Sequence, residues 1–229
     1  MFATITELHG SAPTEAEGTL PDGNVFYFRA RGDEWWFYVA APGADIIDQA
    51  TSIWVEQYGD GLYDGSYMAE SIARAIVESC AQMRAEGVPP PSGLRGDGVE
   101  GPAVRLARLI IDDIAVYHHD ADAPTLRALI DEGRAMFRDR VDPRLLPVFE
   151  ATSGQLDARI RGQAVHAPWL RDVDSAQRVG RRWAAMLPRL SAEDRAELEA
   201  SGTRWLSAWA KDASIRDAVF AAAGFGGSL

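Results

Sequence analysis

Between Ile111 and Asp122 the chain reads IDDIAVYHHDAD, which gathers Asp112, Asp113, His118, His119, Asp120 and Asp122 within 11 residues. Carboxylates and imidazoles in such a cluster are the side chains that hold zinc or a non-haem metal, or that work as a general acid and base. If the protein is an enzyme, Asp112, Asp113, His118 and His119 are the residues expected to carry the reaction. Their spacing argues against it. Two ligands on one helical face stand three or four residues apart, whereas either aspartate lies five to seven residues from either histidine. A simpler account pairs Asp112 with Arg108 at i, i+4, sets both histidines near a helix C-terminus, and gives Asp120 or Asp122 the task of capping the next helix.

The glycines of GDGLYDG, Gly59 to Gly65, follow one of the spacings by which backbone amides receive a pyrophosphate, but Asp60 and Asp64 would repel that group. As a calcium loop starting at Asp60 the segment fails, with Leu62 at the third position and Ser71 where a bidentate glutamate belongs. A tight turn before a helix suffices. Cys80 falls in register with Met68, Ile72, Ile76 and Met83, so it is expected in a core rather than as a nucleophile. No G-x-S-x-G elbow is present, and His9 and His166 are isolated. The chemistry points to no cofactor and no metal.

Arg159, Arg161, Arg171, Arg178, Arg181, Arg182 and Arg189 stand against only Asp172 and Asp174, a local net charge of +5. Such a segment can hold nucleic acid or an acidic protein surface. The charge elsewhere favours another account. Residues 1–91 carry net −10, residues 92–150 net −3 and residues 151–229 net +2, for −11 overall. Docking of the basic part onto the acidic part, within one chain or between subunits, is the simplest explanation. A strongly acidic start also repels phosphate and anionic lipid, so neither general nucleic-acid binding nor a membrane surface is expected. Trp205 and Trp209, one helical turn apart, read as core rather than as a ligand platform.

The elements that would position these residues begin with a hairpin. Asn24 to Ala41 holds seven of the 21 aromatic residues of this 229-residue chain, around the turn Arg31-Gly32-Asp33. Aromatics fall on both faces of both arms, so neither face is left to water and two covers are needed. Trp35 and Trp36 are therefore candidates for an interaction surface, as are Arg178, Arg181 and Arg182. Strands are expected over 2–8, 24–30, 34–41 and 52–58, and an amphipathic helix over 67–86. The run VPPPSGLRGDGVEGP, Val88 to Pro102, can neither continue a helix nor enter a sheet interior. Beyond it helices are expected over 103–117, 123–140, 143–162, from just after Pro168 and Asp172 to 187, 191–211 and 215–223, with Pro124 and Ser191 at suitable starting positions.

Val104 to Pro143, VRLARLIIDDIAVYHHDADAPTLRALIDEGRAMFRDRVDP, resembles a helix-pair module that recurs in bacterial proteins of regulatory or unassigned role. The likeness rests on the apolar-arginine rhythm of its first half and on the GRAMFRDRVDP ending. Its HHDAD turn departs from the asparagine-led turn of that module. The resemblance implies a bacterial source and a helical hairpin, and no activity.

The expected architecture is α+β: a small antiparallel sheet with one packed helix over 1–87, a Pro/Gly-rich linker over 88–102, and an all-helical bundle over 103–229. With a single cysteine and no apolar run near the roughly 20 residues that span a bilayer, a cytoplasmic setting is expected. The expected function is non-enzymatic, a bacterial protein-interaction or regulatory protein with a protein partner or a second copy of itself. The alternatives are a metal-dependent or acid-base enzyme using the cluster at 112–122, and nucleic-acid binding through 159–189.

Overall fold

The computed structural model describes residues 3–10, 12–46, 49–59, 63–90, 110, 114, 121–140, 146, 149–150, 153, 170, 172–210 and 212–225. Five strands form one antiparallel sheet in sequence order: β1 (Thr4–Gly10), β2 (Thr14–Thr19), β3 (Val25–Arg31), β4 (Glu34–Ala40) and β5 (Ser52–Gln57). The expected hairpin is β3–β4, closed by Gly32-Asp33 with Gly32 at φ +65, a conformation open to glycine at no steric cost. The fold class is α+β, as expected.

Register sorts the side chains into two faces. Phe28 pairs with Phe37 and Phe37 with Trp54, so Ala16, Phe26, Phe28, Trp35, Phe37, Val39, Trp54 and Glu56 share the inner face. Helix α1 (Glu70–Ala85) lies on it. Thr14 Oγ1 donates to the Met68 carbonyl at 2.8 Å, and Cys80 lines the same cleft as Phe37, Val39 and Trp54. On the other face Tyr27, Tyr38 and Trp36 stack in a row, with centroids 6.1 and 5.8 Å apart. Trp35, Trp36, Phe37 and Tyr38 are 1, 8, 3 and 8% exposed, so the hairpin is buried on both faces.

Four further helices are described: α2 (Ala123–Arg140), α3 (Val173–Met186), α4 (Ala192–Trp209) and α5 (Ala213–Ala223), with a 3-10 turn at Leu187–Arg189. Their starts are written in the sequence. Asp172 and Ser175 form a reciprocal capping box on α3, Ser191 accepts from the Asp194 amide at α4, and Asp212 accepts from Ser214 and Ile215 at α5. Gly180 lets α5 approach α3 closely, because a Cβ there would strike the Val219 carbonyl and come within 2.6 Å of Ala222 Cβ. Gly202 of α4 faces the Trp183 ring in the same way.

The chain divides into two compact units, residues 1–99 with 166–229, and residues 100–165. This differs from a division at 88–102. The reason is that α3, α4 and α5 pack with the sheet and α1. Arg182 of α3 reaches Glu56 of β5, Arg189 stands 3.4 Å from Glu78 and bonds Gln82 of α1, and Trp205 of α4 packs on Tyr58 at 4.8 Å. In the second unit Phe137 of α2 packs on Phe149 at 5.5 Å, and Arg134 pairs with Glu150 at 2.5 Å. Asp122 caps α2 by accepting from the Thr125 amide, and that bonding holds its carboxyl below the usual range.

Candidate functional site

Asp112, Asp113, His118 and His119 lie outside the described residues. Among the described residues no group of three or more His, Cys, Asp or Glu is placed to hold a metal ion. The turn after β5 is described at Gly59 and from Tyr63 onward. There the Ser66 amide donates to the Gly32 carbonyl and the Gly32 amide donates to Ser66 Oγ at 2.7 Å, which ties the turn to the end of the hairpin. Cys80 is 2% exposed, and burial pushes its thiol well above the ordinary range against the pull of the Arg182 charge. Trp205 and Trp209 are core residues, 5 and 4% exposed.

Of the arginine segment, Arg159, Arg161 and Arg171 lie outside the described residues, and among the described ones Arg178, Arg182 and Arg189 are turned to partners within the fold rather than to an open basic patch. Arg182 is 1% exposed and grips Glu56, itself 1% exposed, through two parallel bonds of 2.5 Å. The Trp54 indole donates to the same carboxylate at 2.7 Å, and the guanidinium lies 4.7 Å over the Trp35 ring. Arg178 is largely buried and pairs with Asp174, while Arg189 is bonded to Gln82 and Ala185. Arg181 is exposed. Of the interaction candidates, Trp35, Trp36 and Arg182 are thus interior: aromatic content marks hydrophobic demand as readily as contact surface, and a guanidinium opposite a buried carboxylate is drawn inward.

What remains open on the sheet is acidic. Strand β1 is an edge, and it is exposed along most of its length. Among the described residues, the backbone of β1 makes hydrogen bonds only toward β2. A bulge between Ile5 and Glu7 distorts its first half, where Thr6 Oγ1 donates to the Glu17 carbonyl, and Glu7 to Gly10 then pair regularly with Glu17 to Thr14. Glu7 and Glu17 are direct cross-strand partners and both are exposed, a like-charge pairing that costs stability. His9 Nε2 stands 3.3 Å from Glu7. On β2 the next acid inward, Glu15, is occupied: Tyr27 donates to it at 2.6 Å and Arg29 stands at 3.4 Å. Burial first, then this bond, push the Tyr27 hydroxyl pKa up. On the opposite face of the edge, Glu70 lies over Gly10 so closely that a Cβ there would come within 2.8 Å of its Oε1. Carboxylates therefore flank both sides of the regular half of the edge.

A second opening is a cleft of about 200 Å³ lined by Phe37, Trp54, Cys80, Arg84 and Val88 among others. Its one cation, Arg84, is held at 2.9 Å by Asp22, so the lining offers a ligand mainly apolar contact. No helix among the described residues is long and apolar enough to cross a membrane. No protein-family model, curated protein or solved structure matches the chain.

The sequence reading missed this edge because β2 was not expected. Its inward residues, Thr14, Ala16 and Gly18, are too small to register as an apolar alternation. The signal that was available is the alternation of small and acidic residues in TEAEG, together with the pairing distance to FATITEL.

Proposed function

We propose that this chain is a non-enzymatic bacterial protein-interaction or regulatory protein of the cytoplasm, and that its sheet-bearing unit presents an acidic surface to a protein partner. The observation that carries this reading is the fate of the charges. Three of the four described arginines that would draw an acidic partner or nucleic acid are spent: Arg182 and Arg189 pair with Glu56 and Glu78 of the same unit, and Arg178 with Asp174 of its own helix. Along the open edge the exposed Glu7 stands directly opposite the exposed Glu17, with the His9 ring 3.3 Å from Glu7. A surface that retains a like-charge pair while its interior charges are matched is suited to a basic counterpart.

The test is crosslinking in the source cells with the tagged full-length chain, followed by identification of the linked partner and light scattering of the purified protein. A specific protein partner is expected, its capture weakening as salt rises. A monodisperse monomer with no reproducible crosslinked partner at any salt concentration would refute the reading.

A further inference from the structure

The open edge is more specific than an acidic surface. Antiparallel sheets present a row of unsatisfied amide and carbonyl groups along an edge strand, and an extended segment of another chain satisfies them by adding a strand. Natural edges are usually blunted by charged side chains, lysine above all, by bulges or by cover, and a charged edge stays open only to a segment of opposite charge. Here the bulge blunts only the first half of β1. The regular half, Glu7 to Gly10, is instead flanked by glutamates, with Glu7, 3.3 Å from His9, and Glu17 of β2 on one face and Glu70 of α1 on the other. Two copies of this edge would bring Glu7 and Glu17 of one against the same acids of the other, so like-charge repulsion disfavours a second copy.

We propose that Glu7 to Gly10 of β1 takes up an extended basic peptide segment of a partner protein as a sixth, antiparallel strand. This rests on reading the chain as an interaction protein and names where and how the partner is held. Alternation along the strand fixes the preferred side chains. The residue opposite Glu7 is basic, facing Glu7 and Glu17. The residue opposite Leu8 is apolar, because Leu8 is only half-buried on the inner face. The residue opposite His9 is uncharged. The residue opposite Gly10 is basic and long, since Gly10 has no side chain of its own and Glu70 lies over it. In peptide order the segment is basic, uncharged, apolar, basic.

The probe is a capped peptide with the core Arg-Thr-Val-Arg, titrated against the full-length protein at low salt by calorimetry, with hydrogen exchange read at the amides of residues 7–10. Binding is expected together with slowed exchange confined to that edge. The same peptide N-methylated on alternate residues keeps its charge and loses its ladder bonds. Two such bonds at about 1 kcal/mol each make it weaker by about tenfold or more. Replacing both arginines with glutamate abolishes binding, and Glu7→Lys with Glu17→Lys, both on exposed positions, lowers it to the same degree. Equal affinity for the N-methylated peptide, unchanged affinity in the double variant, or self-association through β1 would each overturn the proposal. If the double variant still captures the crosslinked partner of the wild-type protein, strand addition falls and the interaction function stands. If the wild-type protein captures nothing, both fall.

Discussion

Arg182 shows how one residue decides where a segment of chain goes. Its guanidinium and the Glu56 carboxylate are both about 1% exposed, and their parallel bonds join positions 126 residues apart in the chain. Such a pair adds little net stability over a well-packed apolar substitute, but leaving one charge behind is expensive. Arg182→Met is therefore expected to lower unfolding free energy by about 3–5 kcal/mol in urea titrations, with a similar loss in Glu56→Gln. The combined variant Glu56→Leu with Arg182→Met recovers most of it. A double variant as unstable as the sum of the single ones would show that the pair is not the coupled unit described. Cys80 beside it gives a second prediction. With its thiol raised by burial, it should resist iodoacetamide in the native protein, and its labelling rate should follow unfolding. The linkage has a definite sign. Below about pH 8.5 both states hold the proton, and above it the unfolded chain ionises while the folded one does not, so stability falls as pH rises. Cys80→Ala should flatten that decline between about pH 8.5 and 9.5, below the range in which unfolded tyrosines ionise.

At the scale of elements, local rules carried much of the reading. The apolar series through Ile72, Ile76, Cys80 and Met83 predicts a helix over 67–86, and α1 runs Glu70–Ala85. Tyr67, expected inside it, is 75% exposed and precedes the cap. Helices over 123–140 and 191–211 were legible from Pro124 and Ser191, which mark α2 and α4. Strand β2 was not, because it is built from small residues where bulk would collide: a Cβ on Gly18 would strike the Thr4 carbonyl and come within 2.8 Å of the Phe26 ring. Gly180 makes the same point for helix packing. Alanine there gains about 1 kcal/mol of helix propensity. It also drives a methyl into the α5 backbone, a rigid neighbour, and overpacking of that kind costs about 1–3 kcal/mol. Gly180→Ala is expected to lower the thermal midpoint on balance. An unchanged or raised midpoint would mean that α3 and α5 separate at little cost.

At the scale of the whole chain, a proline- and glycine-rich stretch of sequence does not by itself mark where a folding unit ends. The unit that holds the sheet and α1 runs to residue 99 and takes up the chain again at residue 166. No local pattern announces that. The signal lay in the charge of distant segments, net −10 over the first 91 residues and +2 over the last 79, which sequence analysis read as docking without fixing its site. The residues at 112–119 illustrate the other limit, since local spacing alone could weigh them only as helix termini or ligands. The division into units predicts how fragments behave. A fragment ending at residue 99 keeps all five strands and α1 but loses Arg182, so Glu56 is left as an unpaired charge beside Trp35 and Trp54, and the α1 face that met α3 is bared to water. Near-ultraviolet circular dichroism of that fragment should lack the fixed tryptophan bands of the full chain. A chain in which 100–165 is replaced by a flexible glycine-serine linker retains the Glu56–Arg182 and Glu78–Arg189 pairs and the Trp183–Trp205 packing. It should show those bands and unfold cooperatively. Native bands in the shorter fragment would mean that the sheet and α1 need nothing from the last third of the chain, and the buried pair would then be a late addition to a unit already stable.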